Sequence, residues 1–164
     1  QRGGLAWQGG LILGTAIGAG FIYIKKLPFR LMLDLLAPYL ALGQSIGRVG
    51  CFLNGCCYGK EVSWGVYFPV HQAHLHPTQL YASAALFVIY CVLKAYRKHP
   101  HAPGQVLALY FILAGIQRFV IEFFRADHEL TAIGLSVFQI VSLGLSTAGL
   151  LLMVYLRIRQ QRKG

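Results

Sequence analysis

The chain has 164 residues, 56% of them hydrophobic and only 12% charged, with a formal charge of +10. That balance excludes an ordinary soluble domain, which would hide one core behind a charged surface. It also argues against a nucleic-acid-binding protein, because the positive residues stand in short clusters between long apolar blocks.

A helix needs about 20 mostly apolar residues to cross a bilayer. Five blocks approach that length: Leu5–Ile24, Leu31–Gly50 with Asp34 and Pro38 near its start, Pro77–Leu93, Gln105–Phe124 and Leu130–Leu156. The expected fold is therefore all-α: a polytopic transmembrane helical bundle of about five spans forming a single domain over 1–164. A small irregular outer-face segment is expected at 51–76. Gln1 is not a methionine, and no signal peptide precedes the first block, so a fragment or an N-terminally trimmed chain is expected.

Lys and Arg alternate between the connections. Lys25, Lys26 and Arg30 fill the first, Lys94, Arg97 and Lys98 the third, and Arg157, Arg159, Arg162 and Lys163 the tail. The positive-inside rule places these at the cytoplasmic face, together with the C-terminus. The N-terminus, the 51–76 segment and the 125–130 turn then face outward. Gln8, Arg48 and Tyr81 fall near outer helix ends, and Arg118 lies roughly 9 Å below one. In the first block, Gly10, Gly14 and Gly18 share a face that suits close helix packing.

Arg118, Glu122 and Arg125 stand at i, i+4 and i+7 of the fourth block and share one face. A charge at membrane depth costs at least about 2.5–3.5 kcal/mol unless paired or hydrated. Pairing could simply fix helix packing, but two arginines around one carboxylate leave positive charge over, and guanidinium suits a phosphate. Arg48 opens a stretch with four glycines, Gly47 to Gly59, expected to break the helix and expose backbone N–H groups in a covered cavity. Arg48 and Asn54 would point donors into it; an arginine at a helix end can also snorkel to headgroups.

The stretch Gly47-Arg48-Val49-Gly50-Cys51-Phe52-Leu53-Asn54, continued to Gly59, resembles the prolipoprotein diacylglyceryl transferase signature G-R-x-G-N-F-x-N-x-E-x-x-G. Three more stretches are similar to that family's motifs, in the same order. Residues 3–12, which include Gln8, are similar to its H-G-G-L-I region. His76-Pro77-Thr78-Gln79-Leu80-Tyr81 is similar to H-P-S-Q-L-Y, and Arg118 to Arg125 to R-F-x-x-E-x-x-R. The family's first two helices would precede Gln1.

The resemblance implies transfer of the diacylglyceryl group of phosphatidylglycerol onto the lipobox cysteine of a prolipoprotein. The reaction would take place at the outer face of a bacterial plasma membrane, with no cofactor and no nucleic-acid partner. Arg48, Arg118 and Glu122 would take the catalytic roles. Arg48, Asn54, Gly59, Tyr81, Arg118, Arg125 and Gln8 would bind substrate. Four positions depart from the pattern: Gln8 replaces the family's His, Cys51 its Asn, Cys56 its Glu, and Ala82 the acid after L-Y. Glutamine cannot act as a base near neutral pH, so that role is lost.

Cys51, Cys56 and Cys57 lie near His71, His74 and His76 in sequence, but the spacing fits no common zinc pattern, and no metal site is expected. A disulfide through Cys51 is the expected state on an oxidising face, with buried free thiols as the alternative. Two readings compete with the transferase: a non-catalytic or other-acceptor phospholipid-binding relative, and a metal- or redox-handling membrane protein built on the Cys/His segment.

Overall fold

The computed structural model describes residues 4–69, 71–125 and 134–162, with the side chains of residues 4–12 left aside. Five helices and one small sheet make up the described chain. They are α1 (Gly4–Ile24), α2 (Phe29–Leu53), β1 (Glu61–Phe68), β2 (Ala73–Leu75), α3 (Thr78–Tyr96), α4 (Gln105–Glu122) and α5 (Val137–Gln161). Each helix overlaps one expected apolar block. Three of them, α3, α4 and α5, are long and apolar enough to cross a membrane.

Proline and side-chain caps set the helix starts. Pro28 and Pro77 precede α2 and α3, where their missing N–H groups cost nothing. Before α5, Ser136 Oγ accepts from the Gln139 N–H while Gln139 Oε1 accepts from the Ser136 N–H, a complete capping box. The expected start at Leu130 is therefore corrected to Val137. The four-residue pattern Ser136-x-x-Gln139 was the readable signal.

The bundle buries polar side chains beside its apolar core and turns many large apolar side chains outward. Asp34, Gln79, Ser83, Glu122 and Gln139 are buried, whereas Leu150, Leu151, Val154 and Tyr155 of α5 stand exposed. Apolar exposure on that scale suits hydrocarbon surroundings. The buried apolar core lies between α2, α3 and α4, around Ala37, Ala41, Leu86, Ile89, Leu93, Val106 and Tyr110.

Polar contacts lock these helices together. Ser45 and Ser83 exchange hydrogen bonds, each hydroxyl donating to the other's backbone carbonyl at 2.9 Å. Gln44 donates to the Tyr110 hydroxyl at 2.8 Å. Buried Asp34 accepts from the Gly104 N–H at 2.6 Å and the Leu107 N–H at 2.9 Å, satisfying orphan donors at the α4 N-terminus. Helices α4 and α5 approach through Gly115 and Gly149. A methyl group on Gly115 would lie 2.7 Å from the Ser142 carbonyl oxygen, and one on Gly149 2.8 Å from that of Ala108.

Two expectations are corrected. The glycines around Arg48 do not break α2, which runs through Gly47 and Gly50 to Leu53. Helical backbone satisfies its own N–H groups and is the cheaper choice in an apolar setting. The 51–76 segment is not irregular, because β1 and β2 pair antiparallel with Tyr67 opposite His74 and Phe68 opposite Ala73. Of the expected Gly10–Gly14–Gly18 packing face, Gly14 and Gly18 meet no atom within 4 Å, while Gly10 lies outside the described side chains.

Gly115 and Gly14 should therefore respond in opposite ways. Gly115→Val should cost about 1–3 kcal/mol by forcing α4 and α5 apart, whereas Gly14→Ala should be neutral or gain about 0.5–1 kcal/mol in helix propensity. Thermal unfolding in detergent, followed by circular dichroism, separates the two.

Candidate functional site

Beyond α2 the chain turns at Gly55, whose φ of 66° belongs to the left-handed region. The loop then carries Cys56, Cys57 and Tyr58 to Gly59. Its next residues are stitched to two helices at once. The Gly59 N–H donates to the His76 carbonyl at 2.9 Å and the His76 N–H to the Lys60 carbonyl at 3.0 Å. The Lys60 N–H donates to the Phe124 carbonyl at 2.9 Å. Gly59 is buried, and a Cβ there would lie 2.6 Å from Thr78 Cγ2 and 2.7 Å from His76 Cβ, closer still to the Phe124 carbonyl. Only glycine fits where three backbone segments meet.

Two buried side chains at the start of α3 hold the cysteine loop. Thr78 Oγ1 donates to the Cys57 carbonyl at 2.8 Å and Gln79 Nε2 to the Cys56 carbonyl at 2.6 Å. Neither was singled out from sequence, although both belong to the His76-Pro77-Thr78-Gln79 motif. Behind them, Tyr81 sits among rings. Its hydroxyl lies 3.4 Å from His76 Nδ1, and Phe124 lies edge-on to both rings.

At the end of α4 the expected residues meet, but not on one helix face: α4 stops at Glu122, and Arg125 reaches the carboxylate from the segment beyond, where it bridges Gly59. Glu122 is 1% exposed and lies between Arg118 Nη2 at 3.3 Å and Arg125 Nε at 3.9 Å, both approaching Oε2. The Ser136 hydroxyl donates to Oε1 at 3.1 Å. Arg118 also lies over the Phe138 ring, 4.9 Å from its centre. The α5 capping box thus anchors the carboxylate, and the carboxylate orients both guanidiniums. Ser136 was the functional neighbour missed from sequence.

Arg48 is half-buried in the last two turns of α2, within electrostatic range of Cys51, and Arg125 is within range of Cys57. The cysteine loop therefore lies between Arg48 and the α4 array. Asn54 caps α2 through its backbone, and its side chain hydrogen-bonds the Cys56 thiol. Ala82, where the family has an acid, is buried in α3. Gln8 belongs to α1, but its side chain lies outside those described. An apolar groove of about 700 Å³ lined by Ala19, Tyr23, Lys26 and Phe29 lies at the other end of α2, away from these residues.

All four cysteines are free thiols here, so the expected disulfide through Cys51 is not formed. The Sγ atoms of Cys51, Cys56 and Cys57 lie within 4.8 Å of one another. Burial pushes the Cys56 thiol up, but hydrogen bonds from Asn54, Cys57 and Cys51 outweigh it, and the thiol ionises below the ordinary cysteine range. For Cys57 burial again raises the value. The hydrogen bond and charge of Cys56 add to that, and Arg125 offsets only part.

Residues 1–155 match the family described as prolipoprotein diacylglyceryl transferase. The chain belongs to that family. It is 38% identical over 161 residues to a relative from Clostridium tetani, covering 93% of this chain and 64% of the relative. It is 41% identical over 160 residues to one from Clostridioides difficile, covering 95% and 62%. It is 39% identical over 175 residues to one from Streptococcus uberis, covering 99% and 65%. All three are named phosphatidylglycerol–prolipoprotein diacylglyceryl transferase. The chain spans a little under two thirds of the length of these curated relatives.

Glu122→Ala should cost about 3–5 kcal/mol, because it leaves two partly buried guanidiniums without their carboxylate; a lowered unfolding midpoint in detergent checks this. Among the loop thiols, Cys56 should be alkylated first. In reduced, chelator-washed protein at neutral pH, iodoacetamide should label Cys56 ahead of Cys57, because the lower value leaves more thiolate. Peptide mass mapping against time reads the order.

Proposed function

We propose that this chain carries the phospholipid-headgroup site of a diacylglyceryl transferase, acting on phosphatidylglycerol and the lipobox cysteine of a prolipoprotein. The observation that carries this reading is the Arg118–Glu122–Arg125 array, with Arg48 on the other side of the cysteine loop. A single buried carboxylate orients both guanidiniums, whose paired N–H donors suit the oxygens of an anionic headgroup. The names of the matched relatives support the donor and acceptor classes.

In this reading the acceptor thiolate attacks the glyceryl carbon of the lipid. The carbon–oxygen bond to phosphate breaks, and glycerol phosphate leaves with the electron pair. Arg48 and Arg118 hold the phosphate and stabilise its developing charge, with Arg125 adding field and Glu122 fixing the Arg118 and Arg125 guanidiniums. Asn54, Gly59 and Tyr81 shape the surrounding pocket, and Gln8 supplies a polar contact in place of a base.

The proposed setting is a bacterial plasma membrane. Five helices span it, with the single domain's 51–76 segment and site at the outer leaflet and the C-terminus in the cytoplasm. The basic ends of α3 and α5 support that orientation, and exposed Trp64 and Tyr67 on β1 suit the headgroup layer. Gln8 and Ala82 favour a second reading, a lipid-binding relative without transfer activity.

Labelled phosphatidylglycerol and a lipobox peptide, incubated with the protein, should yield a thioether product. Arg48→Ala and Arg118→Ala should each lower the rate by at least about a hundredfold, the scale of losing a charged transition-state contact. Full activity in both variants would sink the phosphate role. Lipid binding without product from the parent protein would favour the second reading.

A further inference from the structure

Cys51, Cys56 and Cys57 have a use that the arginines do not require. We infer that these three thiols form a binding site for a thiophilic cation of the Zn²⁺ class, with one coordination position left open to an incoming thiol. The sulfur spacing carries the inference. With a Zn–S bond of about 2.3 Å, two thiolates on a tetrahedral centre stand about 3.8 Å apart. Cys56 and Cys57 Sγ are 3.7 Å apart, and Cys51 Sγ lies within 4.8 Å of both. Side-chain movement of up to about 1 Å at Cys51 would put all three on one ion. A disulfide instead requires sulfurs at about 2.0 Å, and neighbouring cysteines bond only with strain.

Four further observations agree. The group contains only sulfur donors among the described residues, a set that selects borderline and soft ions over magnesium or calcium. Cys57 has a φ of 64°, a conformation that an L-residue with a side chain adopts at a cost. A glycine would be easier there, and what the cysteine adds is a thiol turned toward Cys56. Thr78 and Gln79 clamp the carbonyls of Cys57 and Cys56, so the two sulfurs are carried on a fixed backbone. The cationic side chains of Arg48 and Arg125 lie within range of Cys51 and Cys57 and offset the charge of a trithiolate.

Three protein ligands leave a fourth position for an outside group, as in catalytic zinc sites. That part of the inference rests on the transferase reading. An acceptor thiol binding there gives up its proton to solvent and is held as a thiolate. Its sulfur pair then forms the bond to the glyceryl carbon as the carbon–oxygen bond to phosphate breaks. Gln8 and Cys56 stand where the family has a histidine and a glutamate, and the metal would supply the thiol activation that those side chains cannot.

The test begins with metal alone. The full chain, purified reduced in detergent, should carry one zinc per chain by elemental analysis. Cobalt exchange should give intense sulfur-to-cobalt charge-transfer bands and a tetrahedral visible spectrum. Cys57→Gly relaxes the backbone while removing one ligand, so it should fold and lose at least about nine tenths of the bound metal, with Cys51→Ser and Cys56→Ser behaving alike. Cys91→Ser should keep the full signal. A lipobox peptide should shift the cobalt bands, and its Cys→Ser version should not.

Metal far below one per chain in the parent protein overturns the site. So does an unchanged cobalt spectrum in Cys57→Gly, or an intact mass two hydrogens low from a disulfide within the trio. Cobalt bands indifferent to the thiol peptide overturn the role of the fourth position. Loss of transfer activity leaves the metal readouts untouched, so the two proposals fail separately.

Discussion

The junction at Gly59 and Lys60 holds the rest of the site in place. Three backbone hydrogen bonds of 2.9–3.0 Å join this short segment to His76 before α3 and to Phe124 after α4. Each such backbone hydrogen bond contributes about 0.5–1.5 kcal/mol. Because Gly59 has no Cβ, the three segments approach closely enough to share those bonds. The cysteine loop, the Thr78–Gln79 clamp and the end of α4 are therefore joined through one junction. A side chain at Gly59 would separate the loop from both helices.

Electrostatics builds on that junction. The buried Glu122 carboxylate is held on one side by Ser136 and on the other by Arg118 and Arg125. The arrangement joins α4 to α5 just where α5 starts, so the capping box and the ion pairs support each other. At the opposite end of α4, Asp34 of α2 satisfies the N-terminal donors. Both ends of α4 are thus tied by carboxylates, one to a helix terminus and one to guanidiniums. Such buried ionic contacts persist in an apolar setting only because each charge is met by fixed donors.

Much of this was readable along the chain. The apolar blocks predicted every helix to within a few residues at most ends, because burial in hydrocarbon demands a long apolar run whatever the fold. The spacing of Arg118 and Glu122 placed them on one face of α4, whereas Arg125 lies past the helix end, where a bridge to Gly59 holds it. The glycines near Arg48 misled, because glycine permits unwinding without requiring it, and α2 stays helical to Leu53. The hairpin of β1 and β2 was also not anticipated, its alternation being weak beside the helical signals.

The sequence by itself determined the membrane character, the helix order, the shared face of Arg118 and Glu122 and the family motifs. These depend on residues close in the chain or on summed composition. Only the tertiary structure decided that Thr78 and Gln79 clamp the carbonyls of Cys57 and Cys56, that Ser136 reaches Glu122, and that three thiols converge beside Arg48 and Arg125. The first two contacts join residues that no local period relates. The third depends on the left-handed turns at Gly55 and Cys57, which redirect side chains in a way set by backbone angles and not by spacing.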